Sequence, residues 1–388
     1  MDVGPLGSGT DRTARSPVAD TAQMVQLLST DGTLQTDDAA AEYLPYIEAL
    51  SDDELRQMHR DMVITRRFDL EATNLQRQGQ IALWPPSHGQ EAAQVGSARA
   101  TRAQDHIFPS YREHSIAMIR GVDVVDIIKL MRGVSNGGWN PETNNNFHLY
   151  TLVLGSQALH STGYAMGINF DGQTATGNPE TDQAVIVYFG DGASSQGDVS
   201  EAFVFAASFN TPQVFFLQNN HWAISVPVSV QSRIPLYLRS EGFGIPGVQV
   251  DGNDVLASYA VTRKNLETAR SGGGPSLIEA LTYRVGAHTT SDDPSKYRLD
   301  AELQGWIARD PIVRFEAFLR SRGEGDDFFA DADTEAQDFS ADLRRRTLEL
   351  LPPSVDKIFD HVYSEPHPLM DAQKQWLADY EASFGGDA

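Results

Sequence analysis

The chain has no cysteine, which excludes disulfides, thiolate metal sites and a cysteine nucleophile. Basic residues are scarce: 30 lysines and arginines stand against 53 aspartates and glutamates, a net charge of −23 over 388 residues. So acidic a chain repels phosphate backbones and anionic lipid, so neither nucleic acid nor a membrane surface is an expected partner. Long apolar runs are also missing; none approaches the roughly 20 residues of a spanning helix. The opening MDVGPLGSGTDRTARSPVAD holds glycine, proline and charge but no apolar stretch of a secretion signal, and the expected location is the cytoplasm.

What is present divides unevenly. Residues 1–37 read as a polar, disordered tail, and residues 38–388 as one functional unit whose sheet core spans about 150–310. Ser51, Asp52, Asp53 and Glu54 suit the cap and first turn of a helix. Leu55, Met58, Met62 and Phe68 recur behind them at helical spacing, and Gly79 offers a stop. Helix and loop continue to about Gly133, and NGGWNPETNNNF (136–147) reads as loop. AVIVYF (184–189), VFFLQ (214–218), GVQVDG and SLIEALTY then read as buried strands, with VSEAFVFAASF as an amphipathic helix between the first two. Apolar strands alternating with helices predict an α/β fold with a mostly parallel central sheet flanked by helices. Past Arg309 the chain reads as charged helix. GEGDDFFADADTEAQDFSAD (323–342) reads as a solvated linker, and LRRRTLELL and VDKIFDHVY as closing helices.

The chemistry falls where strands end. Gly190-Asp191-Gly192 follows the first strand, and Asn219-Asn220 follows the second. Residues 193–218 have room for one crossover helix, so a single βαβ unit would bring Asp191 and Asn220 side by side at adjacent strand ends. Both are hard oxygen donors, which suit Mg²⁺ held by a few protein oxygens plus a ligand's phosphates. The two glycines allow close backbone approach to a diphosphate, with a helix N-terminus behind them. A Mg²⁺-dependent phosphohydrolase would need further acidic ligands, and only Asp198 lies nearby, about two helical turns away.

GDG followed by NN at this separation resembles the thiamin-diphosphate motif. GDGASSQGDVSEAF, QNNHWAISVPV, VDGNDVLASY and YRVGAHTTSDDPSKYR resemble the alpha subunit of the dehydrogenase component of 2-oxo acid dehydrogenase complexes, over about residues 50–385. The resemblance implies the thiamin-diphosphate-binding fold with helical extensions at both ends, and thiamin diphosphate and Mg²⁺ as cofactors. Asp191 and Asn220 match the side-chain ligands of the metal, and Trp222 the residue that lends it a carbonyl. Tyr111 and Arg112 match diphosphate-binding residues. Gly190, Gly192 and Ala193 match the motif backbone, and Leu154 a position contacting the aminopyrimidine. Arg284 and His288 match loop residues near the diphosphate and thiazolium, with His288 the catalytic candidate. Ser156 and Gln157 match a monovalent-cation site, which would hold K⁺.

The resemblance also implies a partner. One diphosphate motif supplies half an active site, so a beta subunit would complete it in an α₂β₂ heterotetramer, with a lipoyl acyltransferase accepting the acyl group. The implied reaction is oxidative decarboxylation of a small 2-oxo acid. The wording NNHWAISVPVS and the short 147–157 segment look closer to branched-chain enzymes acting on 3-methyl-2-oxobutanoate. Pyruvate dehydrogenase and a catalytically silent paralogue stand as the alternatives. Departures from the family pattern are Gln218, where some relatives carry arginine, Ala287 before His288, and Thr289 at a serine of animal relatives.

Overall fold

The computed structural model describes residues 24–135 and 138–384. Its centre is one five-stranded, wholly parallel sheet: β1 (His106–Phe108), β2 (Val185–Gly190), β3 (Gln213–Asn219), β4 (Gly247–Asp251) and β5 (Ser276–Leu281). The spatial order is β1-β2-β3-β5-β4. Both faces are covered, which is why these strands read as unbroken apolar runs. Ile186, Tyr188, Val214, Phe216 and Ile278 join the larger core on one face. Val185, Val187, Phe189, Phe215, Leu217 and Leu277 join the smaller core on the other. The period-two alternation of the strand thus divides each run between two helical layers.

The larger layer contains α1 (Asp52–Arg77), α2 (Glu91–Ala100) and, from further along the chain, the helix Val255–Arg270. The opposite layer holds α3 (Ser156–Phe170) and α4 (Gly197–Phe209). With α3 and α4 placed, Val255–Arg270 becomes α5, followed by α6 (Pro311–Ser321), α7 (Asp326–Leu348) and α8 (Pro368–Ala382). Helix α1 begins with a capping box. Ser51 accepts from the Glu54 amide, and the Glu54 carboxylate accepts from the Ser51 amide.

Three expectations are corrected. The sheet is wider than 150–310, because β1 lies at His106–Phe108 and pairs with β2; three residues are too few to show a strand pattern. Residues 1–23 of the expected tail lie outside the described residues, but 24–37 pack against the fold. Val25 bridges to Val250 beyond the free edge of β4, and the amides of Leu27 and Leu28 donate to Asp254. Arg314 of α6 pairs with Asp251 at 2.8 Å and donates to the carbonyls of Leu28 and Ser29. The expected linker 323–342 is mostly helix α7. Phe329, Ala332, Ala336, Ser340 and Leu343 are buried at helical spacing, and the acidic residues take the outer face.

His59 of α1 is enclosed by Phe328 and Phe329, at ring distances of 5.6 and 5.2 Å, and neither ring nitrogen has a partner. Burial pushes its pKa down to about 4. The unfolded chain takes up a proton near pH 6.5 that the folded chain refuses, so His59 contributes stability above that pH that is lost as pH falls toward 4. His59→Leu removes this term. Its stability relative to wild type is expected to rise by on the order of 1–3 kcal/mol between pH 7 and 4.5, read by urea denaturation at each pH. A constant difference across that range would show that His59 does not titrate this way.

Candidate active site at the strand ends

Four adjacent strands deliver the site. The chain leaving β1 supplies Ser110, Tyr111, Arg112 and Glu113. That leaving β2 supplies Asp191, Gly192 and Ala193, that leaving β3 Asn220 and Trp222, and that leaving β5 Arg284 and His288. All of them line one cavity of about 310 Å³, together with Leu154 and Gly190. The cavity lies at the carboxyl ends of the strands, where open α/β sheets hold ligands. Every residue singled out from the sequence for the diphosphate cofactor, its Mg²⁺ or catalysis is on its wall, while Ser156 and Gln157 are not.

The register explains the juxtaposition of Asp191 and Asn220. Gly190 pairs with Gln218, so the two strands end level. The turn after β2 is tight because the chain opposite is close. A Cβ on Gly192 would sit 2.8 Å from the Cβ of Ala223. Ala193 then opens a short 3-10 turn, Ala193–Ser195, before α4 begins. After β3, Asn219 donates to Glu279 at 2.6 Å and accepts from the His221 amide at 3.1 Å. The Asn220 side chain donates to Gln90 at 3.2 Å and accepts from the Trp222 amide at 3.3 Å. His221 and Ile224 hold positive φ of 71° and 56°, a strain concentrated in this loop.

The charges are distributed unusually. Arg112 and Arg284 are buried, yet neither forms an ion pair with a carboxylate among the described residues. Arg112 donates to the carbonyls of Pro86 at 2.5 Å and His288 at 2.9 Å. Arg284 donates to the carbonyls of Trp222 at 2.8 Å and Ile224 at 2.7 Å, and to the Tyr297 hydroxyl at 3.0 Å. The Trp222 carbonyl is therefore held by Arg284. Burial, then the neighbouring Arg112, lowers the pKa of Arg284. Burial raises the Asp191 carboxyl to about 6, although Gln231 donates to it at 2.8 Å.

His288 lies between the two guanidiniums. Its Nδ1 is 3.3 Å from Arg112 Nη2 and 3.4 Å from Arg284 Nη1. A guanidinium only donates, so Nδ1 is the acceptor and the proton sits on Nε2. Burial first, then Arg112 and Arg284, push the His288 pKa down to about 4, so the ring is neutral at physiological pH. The loop is fastened by the His288 amide, which donates to Asp292 at 2.8 Å, and by the Tyr297 hydroxyl, which donates to the same carboxylate. Ser156 and Gln157 open α3; Ser156 Oγ donates to Val153 and Gln157 Oε1 accepts from the Gly155 amide.

Sequence reasoning missed Gln90, Glu113 and Gln231. Gln90 stands just before α2 in SHGQE, a capping position with no chemical signature. Glu113 adjoins Arg112 and is fully buried, which no sequence pattern announces. Gln231 reaches Asp191 from a four-residue helix, Val228–Gln231. Among the described residues no three His, Asp, Glu or Cys side chains converge as a metal cluster. Asp198 is exposed on α4.

Parallel strands whose carboxyl ends gather hard oxygens and guanidiniums without a direct ion pair among the described residues define an open α/β protein with a cavity suited to an anionic ligand. The family is settled by comparison. The model of the dehydrogenase E1 component family matches residues 59–331. The 3-methyl-2-oxobutanoate dehydrogenase subunit alpha of Mycobacterium tuberculosis is 40% identical over 374 residues, covering 96% of this chain and 98% of that protein. The pyruvate dehydrogenase E1 component subunit alpha of Staphylococcus epidermidis is 37% identical over 303 residues, and that of Staphylococcus aureus likewise, covering 78% of both chains in each case. The chain belongs to the dehydrogenase E1 component family.

The close approach at Gly192 is testable without any ligand. Gly192→Ala is expected to lower the melting temperature by several degrees, because the new methyl overlaps Ala223. Gly192→Ala/Ala223→Gly is expected to regain most of that loss. Calorimetry showing no recovery would mean that the tight turn is not set by this contact.

Proposed function

We propose that the chain is the alpha subunit of a thiamin-diphosphate-dependent 2-oxo acid dehydrogenase that acts on branched-chain 2-oxo acids, 3-methyl-2-oxobutanoate among them. The observation that carries the reading is the pair of buried guanidiniums, Arg112 and Arg284, without carboxylate partners and on the same cavity wall as Asp191 and Asn220. Two such cations fit a diphosphate. The oxygens of Asp191, Asn220 and Trp222 fit a Mg²⁺ ion that also takes phosphate oxygens. A K⁺ ion near Ser156 and Gln157 is a minor part of the same proposal.

Bound thiamin diphosphate supplies the electron sink for decarboxylation. The chain's own residues orient and select. Arg112 and Arg284 hold the diphosphate end, with Tyr111 beside Arg112 at 5.5 Å from guanidinium to ring. His288, neutral with its proton on Nε2, donates a hydrogen bond to a substrate oxygen and leaves the positive charge of the site to the arginines. Leu154, Ala223, Ile224 and Val226 give the cavity an aliphatic side, which favours a branched acyl group over pyruvate. Pyruvate remains the second reading because pyruvate dehydrogenase alpha subunits are 37% identical.

Leu154, Ile224 and Val226 line the cavity and are exposed, and Leu152, Val153 and Val230, close to them in the chain, are exposed as well. An apolar rim of this kind suits a protein partner, here a beta subunit that completes the site in an α₂β₂ heterotetramer. A lipoyl acyltransferase then accepts the acyl group. Among the described residues no helix is long and apolar enough to cross a membrane, in keeping with a cytoplasmic enzyme.

Asp191→Ala is expected to weaken Mg²⁺-dependent thiamin diphosphate binding by about 100-fold or more, read by isothermal titration of the chain assembled with its beta subunit. His288→Ala is expected to keep that affinity and lose roughly 10²–10⁴-fold in turnover. Turnover of 3-methyl-2-oxobutanoate and pyruvate, compared with an artificial electron acceptor, decides the substrate. A wild-type tetramer that turns over neither would leave the silent paralogue standing.

A further inference from the structure

The segment WPPSHGQE (Trp84–Glu91) has no helix or strand before α2, yet it meets three of the loops that form the cavity. Pro86 accepts Arg112 Nη1 at 2.5 Å, and Pro85 accepts His114 Nε2 at 2.9 Å. Trp84 exchanges two bonds with Thr290 of the His288 loop: Thr290 N to Trp84 O at 2.9 Å, and Trp84 N to Thr290 Oγ1 at 3.1 Å. Val285 N donates to His88 O at 3.0 Å, and Gln90 Oε1 accepts from Asn220 at 3.2 Å. Gly89 takes φ +96° where a Cβ would strike the Tyr283 carbonyl at 2.1 Å.

An irregular strap has no ladder to fix it, so its position depends on side-chain anchors. At Gly89 the strap donates to Glu91 at 2.9 Å and accepts from Thr282 at 2.6 Å, and its Trp84–Ser87 half is held from behind by one carboxylate. Asp69 of α1 is buried and accepts three bonds: Trp84 Nε1 at 2.9 Å, the Ser87 amide at 2.7 Å and Ser87 Oγ at 2.9 Å. Trp84 is itself fully buried, tilted against Phe68 at 4.8 Å and stacked on His114 at 4.3 Å.

We infer that Asp69 is a positioning residue: through Trp84 and Ser87 it sets the strap that places Arg112 and the His288 loop for the cofactor's diphosphate. The inference deepens the function proposed above and rests on it for the identity of the ligand. Asp69 does not line the cavity. It acts through carbonyls whose displacement by even about 1 Å would misplace the guanidinium they hold.

Asp69→Asn tests it. The amide keeps the shape but turns one acceptor oxygen into a donor, so it cannot serve Trp84 and both Ser87 donors together. Two readouts are taken on the full chain assembled with its beta subunit. The first is the rate of tryptic cleavage at Lys296 and Arg298 without cofactor, which reports how firmly the His288 loop is held. The second is thiamin diphosphate affinity with Mg²⁺. Asp69→Asn is expected to be cleaved about tenfold faster and to bind the cofactor about tenfold more weakly.

Glu71→Gln is the control. Glu71 lies on the same helix but binds Arg344 and Ser340 instead of the strap. It is expected to match wild type in both readouts. Wild-type cleavage and affinity in Asp69→Asn would overturn the inference, as would equal changes in Glu71→Gln. If Asp69→Asn does not fold, Thr290→Val takes its place, since it removes the acceptor of the Trp84 amide from a half-buried loop position. The same two changes are expected of it, and wild-type values in both would overturn the inference equally. A wild-type assembly that binds no thiamin diphosphate would count against the proposed function alone, and the cleavage contrast would still decide the role of Asp69.

Discussion

The site is organised around two buried guanidinium groups that, among the described residues, form no direct ion pair with a carboxylate. Removing such a cation from water costs several kcal/mol after relaxation. Backbone carbonyls offset part of that cost at Arg112 and Arg284, and they do so only where the chain is bent to present them. Pro86, His288, Trp222 and Ile224 come from three separate segments. Those segments must be held in place by the rest of the fold, since a loop that relaxed would leave a guanidinium bare. The parallel sheet provides the frame: its level strand ends bring the segments to one rim, and the two helical layers cover its faces.

The same pair fixes the state of His288. An isolated histidine in a polar loop would titrate near neutral pH. Here burial and two flanking cations hold it neutral, and the donors on either side of Nδ1 leave only one tautomer compatible with both. The structure therefore sets what this ring offers a ligand: a single N–H on Nε2. Asp292 accepts from the His288 amide and so fixes the loop's position, while its charge pulls the ring's pKa upward against burial and the two arginines, which prevail.

What the sequence made legible follows from burial. AVIVYF and VFFLQ stand out because strands covered on both faces are mostly apolar, and such a run ending in Gly-Asp-Gly or Asn-Asn marks the strand ends that line the cavity. The parts that escaped notice lacked that contrast. In β1 three residues carry no period. In α7 the buried Phe329, Ala332 and Ala336 are outnumbered by acids on the solvent face, and net composition hides the period. Val25, Leu27 and Leu28 follow a stretch of glycine, proline and serine, and they are ordered by Asp254 and Arg314, more than 220 residues away in the chain. Gln231 and Gln90 are placed by turns whose geometry no local pattern records.

Gln218 shows how a departure from the family pattern is absorbed. It is the penultimate residue of β3 and lines the cavity, donates to Glu113 at 2.6 Å and accepts from Gln94 at 3.1 Å. An arginine here would add a third cation and pair with Glu113. The amide adds none, and the acid on the cavity wall is left without a countercharge in direct contact. Burial raises the Glu113 carboxyl, while Ser110, the Arg112 amide and Gln218 donate to it and pull the other way. Burial is the larger effect, so the Glu113 carboxyl lies above its ordinary pKa. A site with glutamine in place of arginine therefore carries one cation fewer, and its buried acid is held by hydrogen bonds from Gln218 and Ser110. Under the proposed function, the attraction for a diphosphate then rests on the two remaining guanidiniums and on the Mg²⁺ proposed at Asp191 and Asn220.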